Sequence, residues 1–260
     1  MHYETIRWSF DKDVAEITMD RKGPVTALNA RMCDELFDAA CRCDAMGARA
    51  VILTGSGKTF NVGGDLDEFA AAPDMADHVT RMATMVHAAV SRFAHMDAPL
   101  ICAVNGSAGG AGLSMALAGD IVLAADRAKF VSAYTASGLS PDGSLTYFLA
   151  KHIGLLRAKE LVLTNRVLTA EEARDWGMIT RVVAANDLPA EARALAAQMA
   201  AGPTKAFGRA KHLLETAFSE SLETQLDKET RAIAAMMRTR DGSEGIAAFL
   251  AKRSASFSGT

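Results

Sequence analysis

The residues best placed to do chemistry lie between Leu100 and Asp120, LICAVNGSAGGAGLSMALAGD, where a short apolar strand breaks at Asn105-Gly106 and restarts as a helix of very small residues. Gly106, Gly109, Gly110 and Gly112 let the backbone turn and pack closely where a Cβ would obstruct it. The first N–H groups of that helix have no partner within it and sit at the positive end of its dipole, so they can receive a developing negative charge. The Ala111 N–H is the candidate donor. The same pattern also serves close packing alone. A phosphate loop is disfavoured, because no Lys-Ser or Lys-Thr pair follows the glycines and their spacing is not that of a dinucleotide fingerprint.

A second stretch, GSGKTFNVGGDLDEF, repeats the arrangement: Gly63-Gly64 precede Asp65-Leu66-Asp67-Glu68, which reads as the acidic first turn of a short helix. Alone it is an ordinary surface loop. Two strand–glycine–helix turns in one scaffold are what an oxyanion hole uses, because a carbonyl oxygen gaining charge needs N–H groups from separate segments. A third stretch, SAYTASGLSPDGS from Ser132 to Ser144, is rich in turn formers and holds a single carboxylate, Asp142. That aspartate reads as a turn residue capping a helix that begins near Ser144, in a loop close enough in sequence to a glycine turn to carry function.

Positioning these turns takes a mixed α/β frame. Thr5–Phe10 and Val14–Met19 read as a hairpin, Ala30–Met46 as a helix capped by Asn29, and Ala50–Thr54 and Leu100–Val104 as buried strands. From Asp74 to Met96 a helical stripe of Met75, Val79, Met82, Val86, Ala89, Phe93 and Met96 faces the core or a cavity. His87 lies on this helix and is given no role, a lone helical histidine being more often structural. Ile121–Ala124, Lys129–Val131 and Arg181–Val183 are short strands, and from Ser144 onward helices dominate, with a capping box at Thr169 and Glu172. The composition shift at Gly202-Pro203 divides an α/β core, 1–202, from a helical region, 203–260. Ile233, Met236, Met237, Phe249 and Leu250 give that region more apolar surface than it can bury alone, which predicts an oligomer.

At 260 residues and 50% hydrophobic content, the chain has ample material for a large core. A net charge of −3 offers no basic stripe for nucleic acid and no polybasic membrane patch, so the expected partner is a small molecule. MHYETIRWSF has no signal-peptide pattern and no apolar run is long enough for a bilayer, so the expected compartment is the cytoplasm. The cysteines, Cys33, Cys41, Cys43 and Cys102, read as reduced packing residues. The scattered histidines lack metal-ligand spacing, so no metal is expected.

KTFNVGGDLDEF, AVNGSAGGAGLSMALAGDI and SEGIAAFLAKR together resemble the crotonase, or enoyl-CoA hydratase/isomerase, superfamily across nearly the whole chain. The resemblance implies an α/β, ClpP/crotonase-like spiral of ββα units, followed by a C-terminal helical trimerisation region that builds a homotrimer or a dimer of trimers. It implies that the Gly64 and Ala111 N–H groups hold the thioester oxygen of an acyl-CoA. Ala27 and the run Gly64, Asp65, Leu66 and Asp67 would line the acyl-CoA and adenine pocket, and Phe249 and Lys252 would touch CoA from a neighbouring subunit. No metal or redox cofactor is implied, CoA being part of the substrate.

Hydratases of the family carry glutamates at the positions of Ser114 and Tyr134, the two carboxylates that water addition uses, and neither is present here. Asp142 matches the catalytic aspartate of the family's isomerases, most closely the phenylacetate-pathway ring-epoxide and enoyl-CoA isomerase group. The implied reaction is isomerisation of an enoyl-CoA through an enolate, with Asp142 as acid and base. That group has Gly-Gly-Thr after the aspartate where this chain reads Gly143-Ser144-Leu145-Thr146. Competing readings are a hydratase with water held by Ser114 or Tyr134, and a dehalogenase in which Asp142 attacks, since LVLTNRVLTAEEARDWG resembles aryl-CoA dehalogenases. A non-catalytic CoA- or RNA-binding protein is the reading from another class, and the acidic balance argues against RNA.

Overall fold

IRWSFD and VAEITM alternate apolar and polar residues and are joined by Lys12 and Asp13, both at positive φ, in a tight hairpin of β1 (Ile6–Asp11) and β2 (Val14–Met19). The computed structural model describes residues 2–260. The Asn29 side chain accepts the Met32 N–H at 2.9 Å and opens α1 (Ala30–Ala45). Next come β3 (Ala50–Gly55), β4 (Thr59–Asn61), α2 (Leu66–Ala71) and α3 (Met75–His95). β5 (Leu100–Val104), β6 (Ser107–Gly109) and α4 (Ala111–Leu117) form the next unit, followed by β7 (Ile121–Ala125), β8 (Lys129–Val131), a 3₁₀ turn at Thr135–Ser137, α5 (Leu145–Ile153) and α6 (Leu155–Thr164). β9 (Leu168–Thr169), α7 (Ala170–Asp175), β10 (Arg181–Val183) and α8 (Leu188–Ala200) precede α9 (Thr204–Thr216), α10 (Leu222–Met236) and α11 (Arg240–Leu250).

The strands form two sheets. One has six strands in the order β1-β2-β3-β5-β7-β10, parallel from β2 onward, and the other has four in the order β4-β6-β8-β9. Each of the pairs β3–β4, β5–β6 and β7–β8 gives its first strand to the large sheet and its second to the small one before a helix closes the unit. The chain therefore winds as a spiral of ββα turns, as the fold class expected. β5 reads LICAV and is buried at every residue, as a central parallel strand covered on both faces must be. On one face Ile101 and Ala103 meet Ala192, Ala196 and Ala200 of α8; on the other Leu100, Cys102 and Val104 join the main core with α1 and α3.

Differences from the sequence reading concern short elements and ends. Of the small sheet, only β8 is among the strands read from sequence; β4, β6 and β9 are not. α11 begins at Arg240, where the Thr239 hydroxyl accepts the Gly242 N–H at 2.9 Å and starts the helix. α9 docks on the core through Lys211, whose Nζ pairs with Asp120 Oδ2 at 2.7 Å and donates to the Phe93 and Ala98 carbonyls.

Candidate active site

β4 and β6 are parallel neighbours in the small sheet, and each ends in one of the glycine turns. That pairing brings the two turns together. Gly63 (φ 103°) and Gly110 (φ 51°) adopt conformations that favour glycine, and a Cβ on Gly110 would lie 3.4 Å from the Gly63 Cα. A Cβ on Gly112 would run into the Asn61 carbonyl, so α4 can sit directly on β4 only with glycine there. The Leu28 N–H donates to Gly63 O and the Asp65 N–H to Leu28 O, both at 2.7 Å, lacing the Ala27–Leu28 segment beside the first turn. Among the described residues, the Gly64 and Ala111 N–H groups donate no hydrogen bond within the chain, and both residues line one cavity.

Asn61 is fully buried, and its Oδ1 accepts the Gly63 N–H at 2.8 Å, fixing the turn that presents Gly64. The sequence reading passed over it, although an asparagine two residues before a glycine pair is a known side-chain turn former.

The cavity holds about 500 Å³ and is walled by Leu28, Cys33, Leu66, Phe69, Met82 and Val86, with the glycine turns on one side and the Asp142 loop on another. Asp142 is its only carboxylate among the described residues. The Tyr134 phenol donates to Asp142 Oδ1 at 2.6 Å, and the Ser114 hydroxyl donates to the Asp142 carbonyl oxygen at 2.8 Å and lies 3.0 Å from the Tyr134 oxygen. Asp142 therefore does not cap α5 through its side chain; its carbonyl takes the Leu145 N–H instead. Burial, then the neighbouring Asp142 charge and hydrogen bond, push the Tyr134 phenol well above the ordinary tyrosine value, so it remains a donor. Burial also pushes the Cys33 thiol up to about 12, which makes it an inert wall.

Gly143 has no room for a side chain beside Ser114: a Cβ there would stand 2.9 Å from the Ser114 Cβ. His87, given no role from sequence, faces the same cavity, and its Nε2 accepts the Gly143 N–H at 3.0 Å while lying 3.8 Å from Asp142 Oδ2.

The other expected binding residues divide into groups. Leu66 lines the cavity and is half exposed. Asp65 is the N-cap of α2, its Oδ1 accepting the Asp67 and Glu68 N–H groups and its Oδ2 pairing with Arg21. Burial would raise the Asp65 carboxyl, but Arg21 and these N–H groups outweigh it and hold the group below the ordinary aspartate value. Asp67 is exposed on α2, and Ala27 lies beside the first glycine turn without lining the cavity. Phe249, 82% exposed, and Lys252 lie at the end of α11 and do not line the cavity of their own chain.

Residues 9–260 match the family described as enoyl-CoA hydratase/isomerase. The chain is 39% identical over 255 residues, 96% of each partner, to the 1,2-epoxyphenylacetyl-CoA isomerase of Escherichia coli (strain K12). It is 34% identical to the 4-chlorobenzoyl coenzyme A dehalogenase-2 of an Arthrobacter species, covering 92% of this chain and 88% of that one. The crystal structure of an enoyl-CoA hydratase from Bacillus anthracis superposes with a TM-score of 0.92 at 30% identity, covering 99% of this chain and 100% of that one.

Proposed function

This chain belongs to the enoyl-CoA hydratase/isomerase family, and we propose that it isomerises an enoyl-CoA from the β,γ to the α,β form, or an acyl-CoA derived from a ring, with Asp142 carrying the proton. The observation that supports this most is the single carboxylate of the cavity, one oxygen engaged by Tyr134 and the other left for the substrate. Asp142 Oδ2 takes a proton from the carbon beside the thioester, and the electron pair moves onto the thioester oxygen. The N–H groups of Gly64 and Ala111 receive that charge, each contributing about 3 kcal/mol to the transition state. Asp142 then returns the proton to the γ carbon as the electrons move back and the double bond shifts. A carboxylic acid and its base at one atom suffice for this reaction.

Water addition calls for a second acid–base group, and Ser114 and Tyr134 are both occupied in orienting Asp142. That argues for isomerase over hydratase. A second reading, displacement of an aryl halide by Asp142, draws support from the dehalogenase relative and from the same free oxygen. CoA is part of the substrate and no further cofactor is required. We read 203–260 as the region that assembles a homotrimer or dimer of trimers in the cytoplasm, supported by the exposed row Leu226, Ile233, Met237, Phe249 and Leu250; Phe249 and Lys252 would then reach the CoA of a neighbour.

The test is incubation with β,γ- and α,β-enoyl-CoA in deuterated water, read by mass spectrometry, alongside Asp142→Asn. Double-bond migration that falls by roughly 10³-fold in the variant supports the proposal. Water addition alone in the wild type, or halide release from an aryl-CoA without migration, refutes it.

A further inference from the structure

The peptide unit between Asp142 and Gly143 is pinned at both ends. Its carbonyl accepts from Ser114 Oγ and from the Leu145 N–H at 3.1 Å, with the Tyr134 phenol oxygen 3.3 Å away, while its N–H donates to His87 Nε2. Beyond it the chain runs through consecutive left-handed residues, Gly143 (φ 61°) and Ser144 (φ 78°). The Asp142 side chain springs from the Cα at one end of that peptide plane, so the contacts that fix the plane also fix the backbone from which the carboxylate is aimed. The acceptor on the N–H side is a single side chain from α3, 56 residues away in sequence.

An amide N–H can only donate, so Nε2 of His87 must present its lone pair, and the ring is the neutral tautomer with its proton on Nδ1. The 3.8 Å approach of Nε2 to Asp142 Oδ2 is thus a contact with a neutral imidazole. The other titratable side chains on this cavity are Asp142 and Tyr134 from the loop and Cys33 from α1, and the α3 residues one turn from His87 carry no charge.

We propose that His87 is a positioning residue: through Nε2 it holds the Asp142–Gly143 peptide in the orientation that leaves Asp142 Oδ2 free. This rests on the reading of Asp142 as the proton carrier. His87→Gln places an amide oxygen at similar reach; His87→Leu removes the acceptor.

With enoyl-CoA as substrate, His87→Leu is expected to lose roughly tenfold or more in kcat, with KM moving less than about threefold. His87→Gln is expected to recover most of that loss. Hydrogen–deuterium exchange of the peptide spanning Tyr134–Leu145 supplies a readout independent of the reaction: the Gly143 amide exchanges slowly in the wild type and His87→Gln, and faster in His87→Leu. A Gln variant as slow as Leu, or equal Gly143 exchange in all three proteins, overturns the proposal. Absence of migration in the wild type with the exchange pattern intact would instead remove the isomerase reading and leave the loop clamp standing.

Discussion

Ala111→Pro isolates the contribution of one backbone N–H. Ala111 is the first residue of α4, where the N–H has no acceptor within the helix and proline's fixed φ is compatible with helical geometry. The preceding residue tolerates the change: Gly110 has no Cβ and a ψ of −130°, outside the α region that a following proline disfavours. The substitution thus removes a donor from the cavity without removing a bond from the helix. An oxyanion donor contributes about 3 kcal/mol, and at ~1.36 kcal/mol per decade its loss slows turnover roughly 150-fold. The assay is steady-state migration of the double bond, with Ala111→Gly as the control that trims the side chain and retains the N–H. Free CoA, which has no thioester oxygen, should bind both variants as it binds the wild type. Infrared spectra of a bound unreactive acyl-CoA add a second readout, the carbonyl stretch moving back toward its value in water when the donor is lost. A folded proline variant that turns over within about threefold of wild type, with an unmoved carbonyl band, would show that Ala111 is not a donor.

Two further expectations concern stability. Ser144 is a β-carbon residue in the left-handed region with a buried hydroxyl that finds no partner, so Ser144→Gly should gain about 1 kcal/mol and raise Tm by roughly 2–4 °C; a lower Tm on calorimetry would refute the strain argument. Burial alone would raise the Glu35 carboxyl, but the Thr5 hydroxyl, the Glu4 and Thr5 N–H groups and Arg31 outweigh it and hold it below the ordinary glutamate value. Such a group adds stability that is complete above its unfolded value, ~4.3, and is lost as pH falls through the folded one. Glu35→Gln should therefore cost about 1–3 kcal/mol near neutrality, and the Tm gap to wild type should narrow below about pH 4; a gap independent of pH would contradict it.

Sequence alone located the long elements and the three chemical stretches, because their signals are local. β5 is an unbroken apolar run, Asn29 and Thr169 are cap residues at helix starts, and Pro141-Asp142-Gly143 is turn chemistry. What stayed hidden is what joins them. β4, β6 and β9 are not among the strands read from sequence, yet the parallel pairing of β4 with β6 is what sets Gly63 against Gly110. His87 was equally opaque, since its partner is a backbone N–H distant in sequence and no residue type marks an amide that will need an acceptor.

The same contrast explains why the missing carboxylates narrow the chemistry. A glutamate at position 114 would remove the hydroxyl that holds the Asp142 carbonyl at 2.8 Å, and with it one tie on the peptide that aims Asp142. Ser114 is small enough to let the loop close and polar enough to tie its carbonyl down. On the proposed reading, Ser114 both leaves Asp142 as the single acid–base group of the cavity and helps to fix it. Ser114→Glu should therefore not confer water addition; it should depress migration by opening the loop, seen as faster exchange at Gly143. Hydration appearing in that variant with Gly143 still protected would break the link between the two.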